Sequence, residues 1–230
     1  LVVVPGTPAV VEIKSDVTDG DGTDDLISTD KVQVFLDSGD LNNAQALTSG
    51  TVIDIPSAAD GDKTANNLIV ATGSLTVSKQ GSYGNQTIVV PQSNYKLGSF
   101  ILSSGSSEAI DLSEIEVDLT LADALAYTDL SNLKVVYGSN TTSVKSSLSS
   151  ASDQTFSIGA RLEKSSSMTV EVFSDLDSTA TNGDGTADTS VVGLTITGTG
   201  TVTSTTLYAD SDTADTAKNS GVSGQTITAS

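Results

Sequence analysis

The stretch Thr169-Val-Glu-Val-Phe173 alternates apolar and polar side chains, with Val170 and Val172 separated by Glu171. Successive side chains of a β-strand point to opposite faces, so this pattern predicts a strand with one buried face. The same alternation, bounded by Gly, Asn, Asp or Ser, recurs in Val10–Ile13, Lys31–Phe35, Leu75–Val77, Thr87–Val90, Ile115–Leu119, Lys134–Tyr137, Phe156–Ile158 and Gly193–Thr197. Short strands at this spacing predict an all-β fold of immunoglobulin-like β-sandwich modules. A single helical turn is predicted at Leu121–Leu125.

The composition excludes several classes of function. The 230 residues carry 10 basic and 29 acidic side chains, a formal charge of −19, and no His, Cys or Trp. The usual ligands of zinc, haem and copper and the commonest general base are therefore missing. Negative charge repels a phosphate backbone, so nucleic acid is not an expected partner. Neither a hydrolase nucleophile elbow with its His nor a phosphate-binding loop is present, and we expect no enzyme.

An internal repeat divides the chain. Val11-Glu-Ile-Lys-Ser-Asp-Val17 matches Val170-Glu-Val-Phe-Ser-Asp-Leu176 at an offset of 159 residues, and Gly20-Asp-Gly-Thr23 recurs as Gly183-Asp-Gly-Thr186. Leu68-Ile-Val-Ala-Thr72 likewise resembles Thr226-Ile-Thr-Ala-Ser230. Three colinear matches predict tandem modules with a period of about 158 residues.

The repeat predicts two units. Residues 73–230 are expected to form one complete module, and residues 1–72 the C-terminal part of a preceding repeat or a small β subdomain. An incomplete sandwich exposes strand edges and apolar surface that proteins normally cover. Its missing strands are expected from an upstream segment or from a neighbouring molecule, with Leu1-Val-Val-Val-Pro5 as a candidate donated strand.

Two acidic loops follow the repeated strand and predict calcium sites. Carboxylates two residues apart, with Gly allowing a tight turn, direct several oxygen ligands to the inside of one loop, as Ca²⁺ requires. The loops are not EF-hands, because the Gly stands fourth rather than sixth when Asp19 is counted as the first loop residue. The predicted ligands are Asp16, Asp19, Asp21, Asp24, Asp25, Asp175, Asp177, Asn182, Asp184 and Asp188. A solvated acidic turn is the alternative interpretation, and it is favoured for the weaker pairs Asp60/Asp62 and Asp210/Asp212.

The order of several segments resembles a known family. These segments are Gln92–Leu102, Ala109–Leu119, Leu130–Tyr137, Phe156–Gly159 and Met168–Leu176. Together they resemble the tandem immunoglobulin-like β-sandwich repeats of large bacterial surface and S-layer-type proteins. The resemblance covers residues 73–230 and implies a β-sandwich, an extracellular location at the cell surface and a structural or adhesive role. It transfers no catalytic residue.

These observations favour a structural module of an extracellular surface array, surface layer or filament, stiffened by calcium and contacting neighbouring copies of itself. An adhesin or carbohydrate-binding module, with a glycan or cell-surface ligand, is the alternative. It requires several of Tyr83, Tyr95, Tyr127, Tyr137 and Tyr208 on one exposed face. A filament subunit completed by donor-strand exchange is a further alternative. The sequence has no apolar run near the ~18 residues of a membrane span.

Overall fold

A computed structural model describes residues 2–16, 30–39, 42–181, 188–211 and 217–230. Within these ranges the chain forms β-strands and one 3-10 turn at Tyr127–Asp129, so the predicted all-β sandwich is confirmed. The strands are β1 (Lys31–Val32), β2 (Phe35–Leu36), β3 (Ala44–Gln45), β4 (Val52–Ile53), β5 (Lys63–Thr64), β6 (Leu68–Ile69), β7 (Leu75–Lys79), β8 (Gln86–Ile88), β9 (Gln92–Ser104), β10 (Ile110–Ala122), β11 (Leu130–Tyr137), β12 (Asn140–Thr141), β13 (Gln154–Leu162), β14 (Ser167–Leu176), β15 (Asp188–Gly200), β16 (Thr206–Ala209) and β17 (Val222–Ala229).

Strands β7 to β17 build two sheets that pack face to face. The front sheet has the order β13-β10-β15-β17-β8, and β16 pairs with the far part of β15. The back sheet has the order β12-β11-β14-β9-β7. The ladders are antiparallel except the one between β17 and β8, which is parallel. The predicted helical turn at Leu121–Leu125 is wrong, because β10 runs through Leu121 to Ala122 and the 3-10 turn begins only at Tyr127.

The alternation seen in the sequence places one face of each long strand in the core. Val170 and Val172 of β14 are fully buried, as are Val192, Leu194 and Ile196 of β15 on the facing sheet. Burying such side chains stabilises each by about 1.5–3 kcal/mol relative to exposure. The core is therefore the apolar layer between the two sheets.

The largest buried side chain needs two glycines beside it. Phe100 of β9 is fully buried. A Cβ atom at Gly98 would lie 2.9 Å from the Phe100 ring, and one at Gly224 would lie 2.7 Å from it. Both distances are too short for a real contact, so a side chain at Gly98 or Gly224 would collide with the Phe100 ring.

A buried amide joins the two sheets. Gln225 of β17 is fully buried, and its Oε1 accepts a hydrogen bond of 2.9 Å from the Ser99 backbone N–H on β9. Its Nε2 lies within hydrogen-bonding distance of the carbonyls of Gln80 (3.1 Å), Tyr83 (2.8 Å) and Ser99 (3.2 Å). A buried polar group costs stability unless it is paired. Here one side chain pairs fully and fixes β17 against β9.

The buried carboxylate of Glu108 binds the backbone where the chain enters the sandwich. Glu108 is only 4% exposed, yet both of its oxygens accept hydrogen bonds. The donors are Gly73 N (2.8 Å), Thr203 Oγ1 (2.6 Å), Val202 N (2.7 Å) and Thr203 N (3.1 Å). Burial alone would raise the pKa of Glu108, but these bonds, chiefly the one from the Thr203 hydroxyl, outweigh it and hold the pKa below its usual range. Gly200 leaves room for the carboxylate, since a Cβ there would lie 2.4 Å from Glu108 Oε1.

Residues 30–70 form a separate two-stranded arm. β1 pairs with β6, β2 with β5 and β3 with β4, so the three short ladders are nested in one long, interrupted hairpin. Side-chain hydrogen bonds replace ladder rungs in the gaps: the Ser38 hydroxyl donates to Asp62 (2.8 Å), and the Asn43 amide donates to the Ile55 carbonyl (2.7 Å). The origin of residues 1–72 as part of a preceding repeat stays a prediction.

Replacement of Glu108 tests the buried carboxylate. In Glu108→Gln an amide nitrogen replaces one acceptor oxygen and faces backbone N–H donors, so we expect the free energy of unfolding to fall by about 2–4 kcal/mol at pH 7. The measurement is urea unfolding. Glu163→Gln, at an exposed carboxylate, is the control and should change the free energy by less than about 0.5 kcal/mol.

The same pair of variants predicts a pH dependence. Because the folded-state pKa of Glu108 is lowered, its stabilisation is fully present above the unfolded value of about 4.3 and is lost as the pH falls through the folded value. The stability difference between wild type and Glu108→Gln should therefore shrink below pH 4. A difference that stays constant down to pH 2 would contradict the role given to the carboxylate.

Candidate functional site

The predicted calcium ligands fall into two groups. Asp19, Asp21, Asp24, Asp25, Asn182 and Asp184 lie outside the described residues. Asp16, Asp175, Asp177 and Asp188 lie within them. Of these four, Asp16 is exposed in the extended segment before the arm, and the other three flank the second acidic loop.

Asp175 and Asp177 already have hydrogen-bond partners. Asp175 accepts one bond from Asn132 Nδ2 (2.7 Å) and one from the Asn94 N–H (2.5 Å), and these bonds lower its pKa, with Asn132 the main cause. Asp177 is exposed and accepts a 3.0 Å bond from the hydroxyl of Ser178, which lowers its pKa. Asp175 thus links β14 to strands β9 and β11, a structural role that its spacing did not reveal.

Asp188 has a free acceptor atom. Its side chain is 1% exposed at the start of β15, directly after the acidic loop. Oδ1 accepts a 2.8 Å hydrogen bond from the Ala124 N–H, whereas buried Oδ2 has no partner among the described residues. An unpaired buried carboxylate oxygen costs stability and is the kind of group that a cation would satisfy. Of the described ligands predicted from the sequence, Asp188 is the one whose surroundings fit a cation.

One acidic cluster was missed by the sequence analysis. Among described residues, carboxylate oxygens of Glu116, Asp118 and Asp153 lie within 4.8 Å of one another. Lys218 donates to Glu116 (2.7 Å), and Asp118 accepts a 2.8 Å bond from the Asp153 N–H. The spacing of Glu116 and Asp118 on β10 indicates a shared face. Nothing in the sequence indicated that the turn before β13 would bring Asp153 beside them.

The weaker acidic candidates hold turns. Asp62 caps Ser38 across the arm, and Asp60 accepts a 2.6 Å bond from the Ser57 hydroxyl. Asp210 is buried and accepts a 2.6 Å bond from the Asn219 N–H. Asp60, Asp62 and Asp210 thus each accept hydrogen bonds within turns, and Asp212 lies outside the described residues.

The arm carries an unusual amount of exposed apolar surface. Scattered apolar residues on a surface are normal, but a contiguous patch marks an interaction site. The exposed apolar residues of the arm are Val32, Phe35, Leu36, Leu47, Val52, Ile53, Ile55, Leu68 and Ile69, and Val10, Val11 and Ile13 precede them. Val32, Val34 and Leu36 line one groove together with Leu68, Val11 and Ile13. This groove between the N-terminal segment and the arm, termed the arm groove below, is the candidate functional site.

Turns of the same geometry precede residues 8–16 of the N-terminal segment and strand β14. The Thr7 N–H donates to the Val4 carbonyl (3.0 Å), and at the 159-residue offset the Ser166 N–H donates to the Glu163 carbonyl (3.2 Å). The third turn residue has a positive φ in both places, +81° at Gly6 and +57° at Ser165. The sequence match between residues 11–17 and 170–176 thus extends to backbone geometry.

The arm also reproduces the β15–β17 ladder. Both ladders are antiparallel, and both contain one register shift with the extra residue in the returning strand. In the arm, Lys31 lies opposite Ile69 and Leu36 opposite Lys63. Val32, Val34 and Leu36 form an apolar alternation of the same kind as Val192, Leu194 and Ile196 of β15. The copies diverge between residues 37 and 62, where the arm forms the β3–β4 ladder in place of β16.

β15 differs from β1 and β2 in how many strands lie beside it and cover its apolar side chains. β15 pairs with β10 on one edge and with β17 on the other, and its apolar face is buried by the back sheet. Over the described ranges, β1 and β2 pair only with β6 and β5. Their apolar side chains border the segment that holds Val11 and Ile13, and Val32 also lines a cavity with Val202 and Thr203 of the sandwich.

The tyrosines do not form the platform that a carbohydrate site requires. Tyr137 is buried, and Tyr83 is half-buried with its ring 4.4 Å from Lys96 Nζ and its hydroxyl donating to the Lys96 carbonyl. Only Tyr127 is among the exposed large side chains. The candidate donated strand at the N-terminus also contacts its own chain, because Val2 and Val3 line a groove with Leu47 of the arm.

Comparisons with known proteins give little beyond this geometry. No protein-family model matches the sequence, and no curated protein matches it. Among solved structures, the CooA pilin subunit from enterotoxigenic Escherichia coli is similar over 68% of this chain and 97% of its own, at 13% identity and a TM-score of 0.27. A TM-score this low carries no argument. Among the residues that the structure describes, none form a helix with the length and hydropathy of a membrane span.

Matched truncations test the difference in coverage. Ile196 is fully buried in β15, whereas Leu36 of the arm is 52% exposed. Ile196→Ala should lower the free energy of unfolding by about 2–5 kcal/mol through lost burial and a cavity. Leu36→Ala should change it by less than about 0.5 kcal/mol. Equal losses in urea unfolding would show that the arm is packed as tightly as the sandwich.

Proposed function

We propose that this chain is a structural module of an extracellular repeat array, surface layer or filament, and that it acts by joining to neighbouring modules of its own kind. The observation that carries the proposal is the arm groove. The arm pairs short antiparallel strands with one register shift, as β15 and β17 do, and leaves apolar side chains such as Val32, Leu36 and Leu68 exposed. Apolar surface on this scale is a surface for assembly.

Composition and resemblance support the location. The chain is rich in Ser and Thr, lacks Cys and carries a charge of −19. Its strand order resembles the immunoglobulin-like repeats of bacterial surface proteins, for which an extracellular, cell-surface position is the expectation. A strong net charge keeps such a protein soluble but repels other parts of the same surface.

Calcium is the proposed stiffening agent. Asp188 offers an unpartnered, buried oxygen at the end of the second acidic loop, and Asp177 lies at the start of the same loop. A bound Ca²⁺ would satisfy that oxygen and reduce the repulsion between neighbouring carboxylates. The first acidic loop of the sequence, from Asp16 to Asp25, is proposed to bind Ca²⁺ as well.

Surface labelling tests the proposed location and role. Antibodies raised against the purified chain should bind intact cells of the source organism without permeabilisation. Immunogold electron microscopy should show a continuous layer or filaments rather than isolated particles. Labelling that requires permeabilisation would overturn the proposal.

Thermal unfolding tests the calcium proposal. At free Ca²⁺ about 100-fold above Kd, binding stabilises by about 2.7 kcal/mol, so EDTA should lower Tm by about 5–10 °C. Asp188→Asn should melt at the same temperature with and without Ca²⁺. Asp111→Asn, at an exposed carboxylate on β10, is the control and should keep the wild-type response. A wild-type Tm that does not respond to Ca²⁺ would contradict the proposal.

A further inference from the structure

We propose that the arm is completed by strands equivalent to β7–β13 from a further module of this kind that is joined to it in the same chain, and that the β10-type strand among them pairs with the open edge of β1 and β2. The inference deepens the proposed function, on which it rests, because it names the partner and the edge at which it binds. It follows from four observations on the two copies.

The first observation is the pairing of β15. In the complete module, β10 runs along one edge of β15 from Ile110 to Ala122, while β17 occupies the other edge. In the arm, β5 and β6 take the place of β17. The other edge of β1 and β2 has no strand beside it among the described residues, and open edges pair readily with an added strand.

The second observation concerns the opposite face of the arm groove. Val11 and Ile13 correspond to Val170 and Val172, which are fully buried because β14 lies between β9 and β11 in the back sheet. In the arm copy the two side chains are 73% and 59% exposed. Strands like β9 and β11 are thus the missing neighbours on this side, just as a strand like β10 is missing on the other.

The third observation is that one contiguous segment supplies every missing strand. Counterparts of β7 to β13 are what the arm copy lacks, and in this chain those strands all lie between residues 75 and 162. One segment with the strand pattern of residues 73–159 would supply these strands without any strand being taken from an existing sandwich.

The fourth observation is charge. The outward-facing residues of β10 include Glu114, Glu116 and Asp118, and in the complete module Lys218 pairs with Glu116 at 2.7 Å. In the arm, Lys31 lies on β1 opposite the apolar face of Val32 and Val34. A β10-type strand added at this edge would place its acidic outer face beside Lys31, whereas a strand with a basic outer face would be repelled.

A fusion tests the inference. Residues 73–159 are joined ahead of residue 1 of the full 230-residue chain, so that a second complete module can form. We expect the backbone amides of residues 31–36 to exchange with solvent at least 100-fold more slowly than in the unfused chain, since pairing and burial protect them. Leu36→Ala, which is nearly neutral in the unfused chain, should then lower the melting temperature of the added module by about 5–10 °C.

Two substitutions in the added copy provide the control. Val117 and Leu119 are buried in β10, so Val117→Asp together with Leu119→Asp in the added copy should prevent docking and leave residues 31–36 exchanging as fast as in the unfused chain. Limited proteolysis gives a second readout: two resistant fragments of module size are expected from the fusion, and one from the substituted fusion.

The possible failures are distinguishable. An unprotected arm and a single resistant fragment in the unsubstituted fusion would overturn the inference, and so would protection that survives the two Asp substitutions. Dimerisation of the unfused chain that protects residues 31–36 would also overturn it, because a second intact copy would then be the occupant. None of these results changes the outcome of the surface-labelling test, so the proposed function is tested separately.

Discussion

An apolar sheet face must be covered, and the organisation of this chain follows from how far that requirement is met. In the sandwich, Val192 and Leu194 on the front sheet meet the back sheet and are fully buried. Gln225 joins the two sheets through buried hydrogen bonds. Glu108, also buried and hydrogen-bonded, holds the backbone where the chain enters the sandwich. In the arm, apolar side chains such as Leu36 and Leu68 stay exposed. The contrast between the covered apolar face of the sandwich and the exposed apolar side chains of the arm identifies the candidate site.

The carboxylates of this acidic chain serve mainly as hydrogen-bond acceptors where the structure describes them. Glu108 gathers the backbone at the start of β7, Asp175 joins three strands of the back sheet, and Asp62 closes a gap in the arm. Each accepts from backbone N–H or side-chain donors and has a lowered pKa. Asp188 differs, because one of its oxygens is buried without a donor. A formal charge of −19 is therefore a poor guide to the number of cation sites.

The sequence predicted the strands and the sandwich well because alternation is a local property, visible in Thr169–Phe173 or Ile115–Leu119 without knowledge of the partner strand. The tandem repeat that the sequence matches indicate stays a prediction. The sequence could not reveal that Asp153 would join Glu116 and Asp118, or that Glu108 would be buried, since both depend on contacts between distant residues. The helical turn at Leu121–Leu125 failed for the same reason: pairing with β15 extends β10 through residues whose local pattern favours a helix.

The parallel pairing of β8 with β17 has a mechanical consequence. The chain enters the sandwich at Gly73, beside Gly200 at one end of β15, and leaves β17 at Ala229, opposite Asp188 at the other end. Thirteen residues of β15 separate these points, a span of about 40 Å at 3.4 Å per residue. Tension applied through the two ends acts along the strands, so the hydrogen bonds between β8 and β17 are loaded together in shear instead of opening one at a time. Modules linked in series would share a pulling force as a chain of stiff links.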